Sequence, residues 1–178
     1  MTYKNIAISG VGGTGKSTLA RGLAEKLGWR VVSSGSFIRK WHEENGVPLV
    51  ETDKIPEEVD RKMDMSYQEM LRTEEGIVFE SRLAGWLSKD FDQTFKILIK
   101  CDQKVGAFRI AQREDASVEE IIQEQEIREG LLKEKFIKLY DAGDYLDEKN
   151  FDIVIDTTNV SAKEVLETVL AKMNETSG

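Results

Sequence analysis

Short uninterrupted apolar runs alternate along the chain with longer stretches in which apolar residues recur every three or four positions. The runs are residues 5–9 (NIAIS), 30–33 (RVVS), 77–80 (IVFE), 95–100 (FKILIK) and 151–156 (FDIVID). Each is strand-length and bounded by glycine, polar or charged residues, which predicts strands buried on both faces. Between them, residues 16–27 place Leu19, Leu23 and Leu27 on one helical stripe and stop at Gly28. Residues 36–45 form a second helix closed by Gly46-Val47-Pro48, and residues 104–113 a third. Residues 162–173 form a last one with Val165, Leu166, Val169, Leu170 and Met173 inward. Strands interleaved with helices predict a three-layer α/β domain with a five-stranded parallel sheet.

Two charged, mostly helical stretches, roughly 45–75 and 114–145, exceed a minimal strand–helix–strand count. They read as insertions at the C-terminal edge of the sheet, where ligands bind in such folds; solvated surface helices are the alternative.

The 178 residues fit one domain, with 40% hydrophobic and 33% charged positions and a net charge of 25 − 33 = −8. That balance argues against a broad cationic face for nucleic acid or anionic lipid, so any bound phosphate must be held by a local group of cations. No apolar run approaches the ~20 residues needed to cross a bilayer, and no targeting segment is visible; a cytoplasmic monomer is the expectation. A single cysteine, Cys101, excludes an internal disulfide and a cysteine-built zinc site. Cys101 reads as a buried small side chain, and His42, the one histidine, as exposed among polar neighbours.

Gly10-Val11-Gly12-Gly13-Thr14-Gly15-Lys16-Ser17 matches G-x-x-x-x-G-K-[ST] in full, between a predicted strand and a predicted helix. The glycines let successive backbone N–H groups turn around a phosphate, and the helix start adds its dipole. Lys16 supplies a point charge for the β/γ-phosphates; the Ser17 hydroxyl is placed for Mg²⁺, and Thr18 follows in the same turn. Chance matches arise in chains this long on the order of 1% of the time from average composition, so the motif points to a nucleoside triphosphate.

In an acidic chain the arginines near strand ends draw attention next. Arg39 lies one turn beyond the second strand in Ser34-Gly35-Ser36-Phe37-Ile38-Arg39, and Arg82 directly follows the third. Glu80 ends that buried strand, where an unpaired carboxylate is costly, and a contact with a Mg²⁺-bound water is its natural use. Arg109 and Arg113 share a helix face. Arg128 falls on the stripe of Ile121, Gln125 and Leu132, facing either a bound anion or a neighbouring glutamate, and Gly130 is a candidate hinge. Trp29, Trp41 and Trp86 suit core packing better than base stacking.

These residues together resemble the nucleoside-monophosphate kinases of the phosphate-loop superfamily, and among them the archaeal-type cytidylate kinases. The carriers are the phosphate loop, Gly35 with Arg39, Glu80 with Arg82-Leu83-Ala84-Gly85-Trp86, Arg109-Ile110-Ala111-Gln112-Arg113, Ser117-Val118-Glu119-Glu120 and residues 151–157. The resemblance implies a phosphate-loop kinase fold with a monophosphate-binding insertion at about 36–75 and a lid at about 114–135. It implies ATP and Mg²⁺ as donor and cofactor, with Ser17 and Glu80 at the metal. Gly10, Gly12, Gly13, Thr14, Gly15, Lys16, Ser17, Thr18 and Arg109 then form the donor site, Arg109 also covering the donor base. Ser34, Gly35, Arg39, Arg82 and Trp86 form the acceptor site, and Lys16, Arg82, Arg113 and Arg128 act in transfer. Arg128 and Lys135 fall where the family lid carries arginines.

The chain departs from the family in Ser36, Ser81, Gly106, Phe108 and Lys135, which bears on the choice of acceptor base; CMP or dCMP comes first. AMP, a small metabolite of a kinase with the same fold, or a slow nucleotide-dependent switch are the alternatives.

Overall fold

The computed structural model describes residues 3–177. Five parallel strands, β1 (Asn5–Ser9), β2 (Arg30–Ser33), β3 (Ile77–Glu80), β4 (Thr94–Lys100) and β5 (Ile153–Asp156), form one sheet in the order β2-β3-β1-β4-β5. Every residue of β1 and β3 is buried. A parallel sheet needs cover on both faces, and the pleat distributes the strand residues between two clusters. Ile6, Ile8, Val78, Phe95, Ile97 and Ile99 pack against α1 (Lys16–Leu27) and α7 (Ala162–Ser177). On the other face Ala7, Ile77 and Phe79 meet Leu71, Leu83, Leu87, Ala142 and Tyr145. These come from α3 (Glu57–Thr73), the short α4 (Ala84–Leu87) and the segment after α6 (Val118–Tyr140).

The expected strands and helices are present, most with ends shifted by no more than two residues; the last helix runs four residues further. Helix α2 (Ser34–Asn45) begins two residues earlier than its apolar pattern suggested, because the Ser33 side chain caps it by accepting from the Ser36 N–H. Helix α5 (Gln103–Glu114) is capped by Asp102, and α6 by a reciprocal Ser117–Glu120 capping box. Helix α6 is unbroken over 23 residues, so Gly130 is an ordinary helical residue here rather than a break.

The stretch between α2 and β3, a 3₁₀ turn (Thr52–Lys54) followed by α3, is anchored to α6 by buried polar contacts. Lys135 donates to the Thr52 and Ile55 carbonyls and pairs with Asp60. Tyr140 donates to Asp64 Oδ2 at 2.7 Å. His42 also lies in this region and is 3% exposed, contrary to the expectation of a solvated ring. Its Nδ1 lies 3.1 Å from the Val47 carbonyl, and its Nε2 is buried without a hydrogen-bond partner among the described residues. The ring packs edge-on to Trp41 of the same helix and reaches the Val47 carbonyl just beyond the helix end.

Burial raises the Asp64 pKa to about 6, and Asp60 adds to the rise. The folded chain therefore holds a proton there that the unfolded chain releases near pH 4, and this contribution is lost as pH climbs to about 6. Comparing Asp64→Asn with the wild type by urea unfolding at pH 4 and pH 7 isolates it. The wild type should lose about 2.5 kcal/mol relative to the variant over that interval. A constant difference would show that Asp64 titrates normally.

Candidate active site

All five strands run the same way, so their C-terminal ends lie along one edge of the sheet. The chain leaves β1 there between β3 and β4, the place where strand order reverses and ligands bind in open parallel sheets. Residues 10–15 turn tightly at this point. Gly10, Gly13 and Gly15 have φ of 152°, 78° and 95°, and a Cβ on Gly13 would run into the Gly106 backbone. Glycine is required at Gly13 for both reasons. The Thr14 hydroxyl donates to the Val11 carbonyl at 2.9 Å and the Lys16 ammonium to the same oxygen at 2.7 Å.

Ser17, one residue into α1, donates to the Glu80 carboxylate at 2.8 Å to either oxygen. Glu80 is buried at the end of β3, in register with Ile8 of β1 and Ser33 of β2. Arg82, two residues later, donates through Nε and Nη2 to Glu129 Oε1 of α6 at 2.9 and 2.6 Å. Arg128 sits beside Glu129 with its Nε buried and unpartnered.

The cations are close enough to perturb one another. Burial, then Arg82, lowers the Lys16 pKa to about 7, with Glu80 and Glu129 opposing. Burial and Arg82 likewise bring Arg128 down to about 10. Crowded cations in a sheltered cleft are poised to accept anions, which would relieve the mutual repulsion.

The structure thus brings Lys16, Ser17, Glu80, Arg82 and Arg128 together. The register of Ser33 with Glu80 sets the start of α2, with buried Ser34 and Gly35, alongside this cluster. Arg39 extends from the next turn, exposed, with its guanidinium over Gly35, and makes no ion pair among the described residues. Thr18 is exposed on the first turn of α1.

Three expected site residues are placed differently. Arg109 donates to the carbonyls of Gly13 and Thr157 at 3.4 and 2.8 Å and to the Thr157 hydroxyl and Cys101 Sγ. It fastens the phosphate loop to the ends of β4 and β5, and its guanidinium is spent on protein atoms. Cys101 is accordingly half-buried at that contact, not a core residue. Arg113 is exposed and paired with Glu114 at 2.5 Å. Trp86 packs into the cluster around Phe79 and Leu87, with the Lys89 ammonium 3.9 Å from its ring centroid. Lys135 is the buried strut to Asp60 described above.

The sequence reading missed Thr157, Gln125 and Glu129. The buried Thr157 hydroxyl donates to the Thr14 carbonyl at 2.9 Å. Gln125 packs where a Cβ on Gly12 would stand, so α6 lies across the loop. Glu129 belongs to a run so rich in acids that nothing local set it apart.

Beside Arg109, a cleft of about 630 Å³ opens between Lys100, Cys101, Asp102, Asp156, Thr158 and Val160 at the ends of β4 and β5. Among the described residues no three His, Cys, Asp or Glu side chains cluster as a metal cage, and no helix is long and apolar enough to cross a membrane.

A family model described as an AAA domain matches residues 6–132. The chain is 38% identical over 169 residues to a cytidylate kinase of Methanothrix thermoacetophila, covering 93% of this chain and 95% of that protein. It is 34% identical to a cytidylate kinase of Archaeoglobus fulgidus (93% and 92% covered) and 36% identical to one of Pyrococcus abyssi (95% and 93%). Among solved structures, an uncharacterized protein from Eubacterium ventriosum superposes with a TM-score of 0.73 at 16% identity, covering 98% of this chain and 99% of that one. A shikimate kinase from Acinetobacter baumannii in complex with shikimate gives 0.64 at 19% identity (98% and 95% covered). These two likenesses are of fold alone.

Proposed function

This chain belongs to the cytidylate kinase family, and on that footing we propose that it transfers the γ-phosphoryl group of ATP to CMP or dCMP. It is a nucleoside monophosphate kinase. The observation that carries the acceptor half of this reading is the end of β3: Glu80 bound to Ser17, and Arg82 two residues on, beside the loop made for a triphosphate.

Residues 10–17 cradle the donor phosphates with backbone N–H groups, and Lys16 turns from the Val11 carbonyl to the β/γ-phosphates. Ser17 and Glu80 suit Mg²⁺, which takes one or two protein oxygens, waters and phosphate oxygens rather than an all-protein cage. Bound there, the ion neutralises charge on the β- and γ-phosphates and orients them. Arg82 and Arg39 hold the acceptor's phosphate from the two sides of the β3–β2 edge. Arg128 stabilises the charge that spreads over the transferred group. The protein supplies no covalent step: alignment and charge neutralisation in a water-poor cleft lower the barrier. Residues 36–75 form the acceptor-binding insertion and residues 114–135 the lid, which brings Arg128 over the loop. Arg109 acts from behind, holding the shape of the loop beside the cleft that receives the donor nucleoside.

A coupled ADP-production assay with AMP, CMP, UMP, GMP, dCMP, shikimate and dephospho-coenzyme A tests the reading. CMP and dCMP should give the highest kcat/KM. Preference for AMP would overturn the base assignment. Slow ATP loss without stimulation by any monophosphate would favour a nucleotide switch.

A further inference from the structure

Arg82 is the cation best placed for the acceptor's phosphate, yet its fork is already occupied. Nε and Nη2 both donate to a single carboxylate oxygen of Glu129, and the two side chains are only 15% and 30% exposed. This is no loose surface pair of the kind that contributes little. Tyr145, from the buried segment beyond α6, lies beside the same carboxylate: burial, and then the Glu129 charge, raise its pKa. Arg82 thus grips Glu129 with the Tyr145 side chain alongside.

We propose that Glu129 is an internal stand-in for the acceptor's phosphate, occupying Arg82 until a nucleoside monophosphate displaces it. The inference rests on the functional reading above and adds a residue to it.

Charge balance supports displacement. Lys16, Arg39, Arg82 and Arg128 against Glu80 and Glu129 leave the site at 4 − 2 = +2 at most, and lower where burial leaves Lys16 neutral. A phosphate dianion brings that to zero or below, and the donor's triphosphate drives it negative. Expelling Glu129 relieves one unit of that repulsion and frees two N–H donors aimed at one point. Glu80 cannot play this part, because the Ser17 hydroxyl holds it at the metal position.

Displacement leaves α6 in place: Gln125, one turn before Glu129 on the same unbroken helix, still covers Gly12, and Lys135 still holds Asp60.

The test compares wild type, Glu129→Gln and Tyr145→Phe by steady-state kinetics with CMP and ATP varied separately, and by calorimetric titration with CMP alone. Glutamine keeps the shape and loses the charge; phenylalanine keeps the charge pair and removes only the hydroxyl beside it. Glu129→Gln should lower the CMP KM and Kd by roughly tenfold, the factor that 1.4 kcal/mol supplies. Tyr145→Phe should shift them the same way by less, and the KM for ATP should not follow in either variant. Should the glutamine variant fail to fold, the phenylalanine variant decides by the same criterion. Unchanged or weakened CMP binding in the variants, with the wild type active, overturns the inference alone. A wild type that turns over no monophosphate overturns the functional reading and this inference with it.

Discussion

Lys16→Ala is expected to slow phosphoryl transfer in the saturated enzyme by about 10³-fold or more, the scale on which removing a positioned cation costs a transferring phosphoryl group. The Lys16 ammonium lies 2.7 Å from the Val11 carbonyl inside the loop, so it is already inside the cradle that receives the phosphates. Alanine leaves the glycine backbone and the Thr14–Val11 bond in place, so the fold should survive. Stability itself should hold or improve, since burial and Arg82 disfavour the charged form in the folded chain. The measurement is single-turnover transfer at saturating ATP and CMP, with thermal unfolding as the control for folding. A variant retaining a tenth of wild-type activity would show that the loop backbone and arginines carry the charge without Lys16.

Arg82→Ala should act differently, raising the acceptor KM and lowering kcat/KM for the acceptor by roughly 10²- to 10³-fold while leaving ATP binding nearly intact. Arg82 donates to Glu129 rather than into the loop, though it is near enough to Lys16 to lower its pKa, so its loss should fall first on the second ligand. Lysine at this position should rescue only part of the loss, because a point charge cannot reproduce the planar fork. Initial-rate kinetics with each substrate varied in turn separates the two effects. An unchanged acceptor KM would remove Arg82 from the acceptor site.

The contrast between Arg82 and Arg109 shows what local sequence can say about an arginine. Both follow the sheet edge, and both carry the resemblance to the kinases. Arg82 emerges facing the cluster of Lys16 and Arg128, while Arg109 turns its fork to the Gly13 and Thr157 carbonyls. Spacing along a helix determines the face a side chain shares with its neighbours, and nothing about what stands opposite that face. His42 illustrates the same limit: its helix looks polar around it, yet the folded chain leaves the ring 3% exposed.

Glu129 marks the limit on the carboxylate side. It lies in a helix with acids at Glu119, Glu120, Glu124, Glu126 and Glu134, any of which composition would leave in solvent. Only the packing of α6 across the phosphate loop singles it out, by bringing it to Arg82 over 47 residues of chain.

By itself the sequence determined the order of strands and helices along the chain, the phosphate loop with Ser17 at its end, and a carboxylate, Glu80, closing a buried strand. Those features are written in short-range signals: apolar runs, helical stripes, and glycines where backbone must turn without a Cβ. Tertiary structure alone decided which cations face one another and which are consumed as struts, as Lys135 is by Asp60. Such pairings join residues tens of positions apart, and their energies depend on burial and distance, quantities that exist only once the helices have packed on the sheet.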